Sequence, residues 1–165
     1  MGNSKKIKDL LKGKSSGSVW TIGHKSSVYD AIRRMSDLNV GALVVTHKGQ
    51  ILGIITERDY SRKVVLEGRS SVQTLVEEIM THRVHYVEPD DSLEHAMAAM
   101  TLHRVRHLPV IEGGHLTGIV SIGDGVKDLI SVRECVSDEL MKYITGQTHL
   151  ETQESISPGK TLQSQ

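Results

Sequence analysis

The sequence predicts an α+β fold made of two copies of one β-α-β-β-α unit, packed on each other as a pseudo-symmetric pair. Three observations carry this. A seven-residue stretch occurs twice: Gly53-Ile54-Ile55-Thr56-Glu57-Arg58-Asp59 and, 118 − 53 = 65 residues later, Gly118-Ile119-Val120-Ser121-Ile122-Gly123-Asp124. The match extends outward at the same offset without a gap, pairing Val19 with Val84, Ser27 with Ser92, Ala31 with Ala96, Met35 with Met100, Val45 with Val110 and Gly49 with Gly114. Within each copy, an apolar stripe at helical spacing alternates with short β-rich runs. A repeat at fixed period sets the architecture, and a unit this small does not easily close a core alone.

The elements follow in order. Ile7, Leu10 and Leu11 have helical spacing and Gly13 can stop the helix, so residues 5–12 read as a short amphipathic helix. Val19 to Ile22 reads as a strand. Val28, Ala31, Ile32, Met35 and Leu38 form one helical stripe, with Ser26 or Ser27 near the N-cap. Ala42 to Val45 and Ile51 to Ile55 are continuous apolar runs, read as buried strands joined by a turn at His47 to Gln50. A helix runs from Thr56 to about Leu66. Copy two repeats this order: a strand at Val84 to Val87, a helix from Ser92 to about His103, strands at His107 to Ile111 and Leu116 to Val120, and a helix from Ser121 to about Val132. Leu75 to Met80 reads as a short linking helix. The expected division is 1–17 for the N-terminal helix and connector, 18–74 and 75–134 for the two repeats with the linker in the second, 135–146 for a C-terminal helix, and 147–165 for a polar tail without periodicity.

Composition limits the function classes. Lysines and arginines balance acids, giving a formal net charge of +0, which argues against broad attraction to nucleic acid. Cys135 is the single cysteine, so no intrachain disulfide framework exists and a reducing compartment is expected. No apolar run approaches the ~20 residues that span a bilayer. Lys6 stands where myristoylation wants Ser or Thr, and no apolar segment follows Lys5 and Lys6 as a secretory signal requires. The location expected is the cytoplasm, or an organellar matrix if a precursor was processed.

The repeated hydroxyl-x-x-Asp after a β-branched pair, with Arg106-His107-Leu108-Pro109-Val110 in copy two, resembles a tandem CBS-domain pair, or Bateman module, over about residues 5–146. Thr56-Glu57-Arg58-Asp59-Tyr60 and Gly68-Arg69-Ser70-Ser71 are similar to small stand-alone CBS-pair proteins. The resemblance implies a regulatory module that binds an adenosine nucleotide between its repeats, with AMP, ADP, ATP, NAD(H) and S-adenosylmethionine as candidates. It also implies a homodimer through the helices, acting on an unidentified partner protein.

The motif itself has two readings. Thr56-x-x-Asp59 and Ser121-x-x-Asp124 fit capping boxes, in which hydroxyl and carboxylate satisfy the first turn of a helix. The same geometry suits a nucleoside phosphate: free N–H groups favour phosphate, and a carboxylate accepts hydrogen bonds from a ribose diol. In similar modules the hydroxyl residue contacts phosphate and the Asp holds ribose. The expected nucleotide-binding residues are therefore Thr56, Arg58, Asp59, Ser121 and Asp124, with Val19, Trp20, Thr21, Val84 and Tyr86 lining base slots. Arg104, Arg106 and His107 flank the clefts, and Pro109 is expected at a strand edge facing one of them. Gly123 and Gly125 are expected to loosen the start of the helix that follows the second motif.

No catalytic acid–base pair, Walker-type loop or His-Glu-x-x-His stands in the sequence, and nine histidines without a cysteine pair do not form a metal motif. The reading is a sensor, with no catalytic residues, no metal and no catalytic cofactor. Two alternatives remain: a ligand-free interaction scaffold whose motifs only cap helices, and a single-stranded nucleic-acid binder using Arg104 and Arg106, disfavoured by charge and scarce aromatics.

Overall fold

The structure, a computed structural model, describes residues 5–14, 20–131 and 137. The expected C-terminal helix at 135–146 and the tail at 147–165 lie outside the described residues. In the first repeat, β1 (Thr21–Gly23) runs parallel to β2 (Ala42–His47), which pairs antiparallel with β3 (Gln50–Thr56). Helix α2 (Val28–Leu38) lies between β1 and β2, and α3 (Glu57–Tyr60) continues into a π-helical turn at Ser61–Val65. Ser27 caps α2 by accepting from the Asp30 N–H at 3.0 Å.

Helix α5 (Leu93–His103) and strands β4 (His107–Glu112) and β5 (His115–Ser121) rebuild the same unit. The registers coincide at the sequence offset: Ala42 faces Thr56 as His107 faces Ser121, and a bulge breaks both ladders, after Val45 and after Val110. Both hairpins turn on two residues with positive φ, Lys48-Gly49 and Gly113-Gly114, the geometry that matches strand twist. Residues 122–131 are helical.

The strand expected at Val84 to Val87 is reduced to one parallel bridge, Val87 to Val110. Pro109 is the reason. In copy one the Val44 N–H donates to the Trp20 carbonyl at 3.0 Å. Pro109 occupies the position of Val44 and has no N–H, so the matching bond to His85 cannot form. The ladder keeps only Val87 N–H to the Pro109 carbonyl and Ile111 N–H to the Val87 carbonyl, at 3.0 and 2.9 Å.

Each core is completed by a segment from elsewhere in the chain. Helix α1 (Ile7–Lys12) precedes repeat one, yet Ile7 is buried with Leu93, Ala96, Met100, Leu108 and Val120 of repeat two. Helix α4 (Val76–Ile79), which precedes repeat two, buries Val76 and Ile79 with Val28, Met35 and Leu43 of repeat one. Lys6 bridges Ser92 as Leu75 bridges Ser27. The arm and the linker are thus a second internal repeat, with Ile7, Leu10 and Leu11 matching Val76, Ile79 and Met80 at an offset of 76 − 7 = 69 residues.

Most of each helical stripe is spent inside the chain. Val28, Ala31 and Met35, and Leu93, Ala96 and Met100, are all buried. Ile32, Leu38 and Met97 of the same stripes are half-buried against the two cores. Gly125 is also buried, and a Cβ there would run into the Met97 side chain. Close packing against Met97 gives this glycine a steric reason.

Candidate functional site

Two clefts open beside the repeated motifs. The first, of about 720 Å³, is lined by Thr56, Glu57, Arg58, Asp59, Ser61, Arg62 and Lys63 from the end of β3 and the helix after it. Thr81, Arg83, Val84 and His85 from the inter-repeat segment, Val105, Arg106 and His107 from repeat two, and Gly41 and Ile54 complete it. The second, of about 290 Å³, is lined by Ser121, Asp124 and Lys127, by Trp20, and by Leu11 and Lys14 from the arm. Thr117, Gly118 and Ile119 of β5, Asn39 to Ala42 and His107 form the remaining wall. Gly41 and His107 border both. A Cβ on Gly41 would lie 3.3 Å from Glu57 Oε2 and from His107 Cε1, so glycine keeps that border narrow.

In the first cleft the motif closes a full capping box. The Asp59 N–H donates to Thr56 Oγ1 at 3.2 Å, and the Thr56 N–H and hydroxyl donate to Asp59 Oδ2 at 3.1 and 2.7 Å. The other oxygen, Oδ1, accepts from Lys63 Nζ at 2.8 Å and from the Thr81 hydroxyl at 3.2 Å. Asp59 is buried, so these partners offset its loss of hydration. Thr81 is held in turn by two main-chain bonds with Ile54, at 3.0 and 2.9 Å.

In the second cleft the Ser121 N–H and hydroxyl donate to Asp124 Oδ2 at 2.6 and 2.8 Å. Lys14 Nζ donates to the same oxygen at 2.7 Å and to the Ile119 carbonyl at 2.8 Å. Burial pushes the Asp124 carboxyl up, but the bonds from Lys14 and Ser121 outweigh it and leave the group below its ordinary value. His107 is shifted down, chiefly by burial; Asp124 opposes this, while Lys14, Arg106 and Arg58 add to it.

Of the residues expected to bind, Thr56, Arg58, Asp59, Val84, Arg106 and His107 meet in the first cleft, and Trp20, Ser121, Asp124 and again His107 in the second. Thr21, Tyr86, Arg104 and Pro109 line neither. Thr21 pairs with Val44 inside the sheet. Tyr86 lines a third cleft, of about 600 Å³, with Val84, His85, His95, Leu102 and His103. Arg104 is the left-handed stop of α5, and its carbonyl accepts from Arg58 Nη1 at 2.9 Å. Pro109 is buried within β4, opposite Ile119. Val19 lies outside the described residues. Lys14, Lys63, Thr81, Arg83 and His85 went unread. The 65-residue offset could have flagged His85, which matches Trp20, whereas Lys14 and Thr81 belong to the 69-residue repeat. Among the described residues no cluster of three or more His, Cys, Asp or Glu is placed to hold a metal, and no helix is long and apolar enough to cross a membrane.

Paired units, a repeated seven-residue motif and a cleft at each copy define a tandem-repeat module. The CBS-domain profile matches residues 7–65 and 76–131, and the chain belongs to the CBS-domain family. It is 42% identical over 148 residues to the CBS domain-containing protein CBSX3, mitochondrial, of Arabidopsis thaliana, covering 85% of this chain and 72% of that one. A solved CBS-domain protein from Burkholderia ambifaria MC40-6 is 51% identical with a TM-score of 0.75, covering 77% of this chain and 95% of that chain. The CBS domain pair of the protein MJ0100, solved with 5′-methylthioadenosine and S-adenosyl-L-methionine, is 25% identical with a TM-score of 0.66, covering 79% and 98%.

Proposed function

We propose that this chain is a non-catalytic sensor that binds an adenosine nucleotide, such as AMP, ADP, ATP or NAD(H), and regulates a partner protein. The carrying observation is the first cleft. A hydroxyl and a carboxylate stand at one end, Arg58, Arg62, Lys63, Arg83 and Arg106 supply positive charge around it, and Ile54, Val84 and Val105 give apolar wall. Its volume lies within the ~300–1,000 Å³ of small-molecule sites. Arginine forks suit phosphate, the carboxylate suits a ribose diol, and apolar wall suits a base. The adenosine ligands of the MJ0100 pair support the ligand class. In this reading the chain works as a homodimer in the cytoplasm or an organellar matrix, and the mitochondrial relative favours the matrix.

Thermal shift against AMP, ADP, ATP, NAD and S-adenosylmethionine tests the ligand class, because binding to the folded state stabilises by RT ln(1 + [L]/Kd). A rise in melting temperature with at least one of them, and none with a phosphate-free apolar metabolite, is expected. No shift with any nucleotide at millimolar concentration sinks it. One observation favours the scaffold reading: both motif carboxylates are already occupied by the chain's own lysines, Lys63 and Lys14.

A further inference from the structure

We propose that Lys63 competes with the ligand for Asp59, and so sets how strongly the first cleft distinguishes a sugar with a vicinal diol from one without. This rests on the nucleotide reading above. A carboxylate offers about four lone-pair sites. Asp59 has four partners: the Thr56 N–H, the Thr56 hydroxyl, Lys63 Nζ and the Thr81 hydroxyl. No acceptor site is left for a ribose hydroxyl until one partner withdraws.

The partners differ in how easily they can leave. The Thr56 bonds are part of the cap that starts the helix, and the Thr81 main chain is pinned to Ile54 on both sides. Lys63 is the movable one. Its flexible stem is 38% exposed, and its ammonium also donates to the Ile79 carbonyl at 2.6 Å. After giving up Asp59 it keeps that acceptor, or turns within the cleft toward an anionic ligand group. Diol hydroxyls would thus replace a charged partner at Asp59, and the measured preference for ribose is the difference between the two. Asp59 supplies the acceptor; Lys63 decides how much of it the ligand can use.

The test compares AMP with its 2′,3′-dideoxy analogue by calorimetric titration, in the wild type and in Lys63→Met. Taking the ratio of the two affinities cancels any loss of attraction between Lys63 and phosphate. The ratio should rise about fivefold in Lys63→Met, as expected for removing a competing ion pair of about 1 kcal/mol. An unchanged or smaller ratio overturns the proposal while leaving nucleotide binding standing. Where AMP does not bind, ATP and its 2′,3′-dideoxy analogue give the same ratio; a wild type that binds no nucleotide of the thermal-shift panel removes the nucleotide reading itself, and this proposal with it. If Lys63→Met melts too low to titrate, Lys63→Gln keeps a polar end without the charge and is judged by the same ratio.

Discussion

The same carboxylate serves stability and recognition, and the structure shifts the balance expected for Asp59→Asn. From the motif alone, asparagine would keep most of the cap. With Lys63 and Thr81 also on the carboxylate, the exchange removes an ion pair and presents an amide N–H₂ to one pair of donors. The ligand-free protein should lose about 1–2 kcal/mol, read as a lower urea midpoint. Affinity per folded molecule should fall about tenfold, since 1.4 kcal/mol is tenfold. Lost stability with unchanged affinity would leave Thr56 and Asp59 as a capping box only. His107 gives a second residue-scale expectation. Its pKa is lowered by burial first of all, and His85 is lowered for the same leading reason. The unfolded chain therefore takes up these protons first, at about pH 6.5. Stability is full above that value and falls as pH drops through it. His107→Asn should flatten the fall in melting temperature between pH 7.5 and 5.5; an unaltered slope would place the pH response elsewhere.

At the scale of elements, the arm and the linker each finish the core of the repeat that does not adjoin them in sequence. Ile7 is fully buried in repeat two. Ile7→Ala should cost about 2–5 kcal/mol, and hydrogen exchange should quicken in α5 and β4 before β2. Leu66→Ala, on a side chain 79% exposed, should change stability by less than about 0.5 kcal/mol. Equal exchange in both repeats would deny the crossing. Much of this level was legible. The 65-residue offset placed both hairpins and both motif helices because the hairpin registers obey it, bulges included. The crossing of α1 was not legible, because that segment repeats at 69 residues with only three apolar matches, and spacing along a chain does not say which core a short helix joins. The strand at Val84 was misread because β-branched residues look alike whether or not the facing position can donate, and Pro109 stands distant in sequence. For the clefts, the motif residues could be read, and so could Lys63, which stands four residues after Asp59 on the same helical segment. Lys14 could not: it reaches Asp124 from 110 residues away, through side-chain placement that no local pattern records.

For the whole molecule, the pseudo-symmetry is close in backbone and broken in charge. The first cleft gathers Arg58, Arg62, Lys63, Arg83 and Arg106 against Glu57 and Asp59, and the second Lys14 and Lys127 against Asp124; with Lys63 committed to Asp59 and Lys14 to Asp124, the first keeps the larger positive excess. The volumes are about 720 and 290 Å³. A ligand with several phosphates should therefore prefer the first cleft, and a small one should discriminate less. Formal neutrality of the chain hides this, because attraction at a site depends on local charge and on a Debye length of about 8 Å at physiological salt. Calorimetry with ATP should show one tight event that Asp59→Asn weakens and Asp124→Asn spares. Replacing both Arg62 and Arg83 by Ala should weaken that event about tenfold, the sum of two partly screened phosphate contacts, and AMP binding by less. The ATP event should also weaken more steeply than the AMP event between 50 and 300 mM salt, about the range over which screening grows. If Asp124→Asn removes the tight event instead, the larger, more basic cleft is not the polyphosphate site. The charge around it would then serve a partner surface, and Lys14 would mark the cleft that matters.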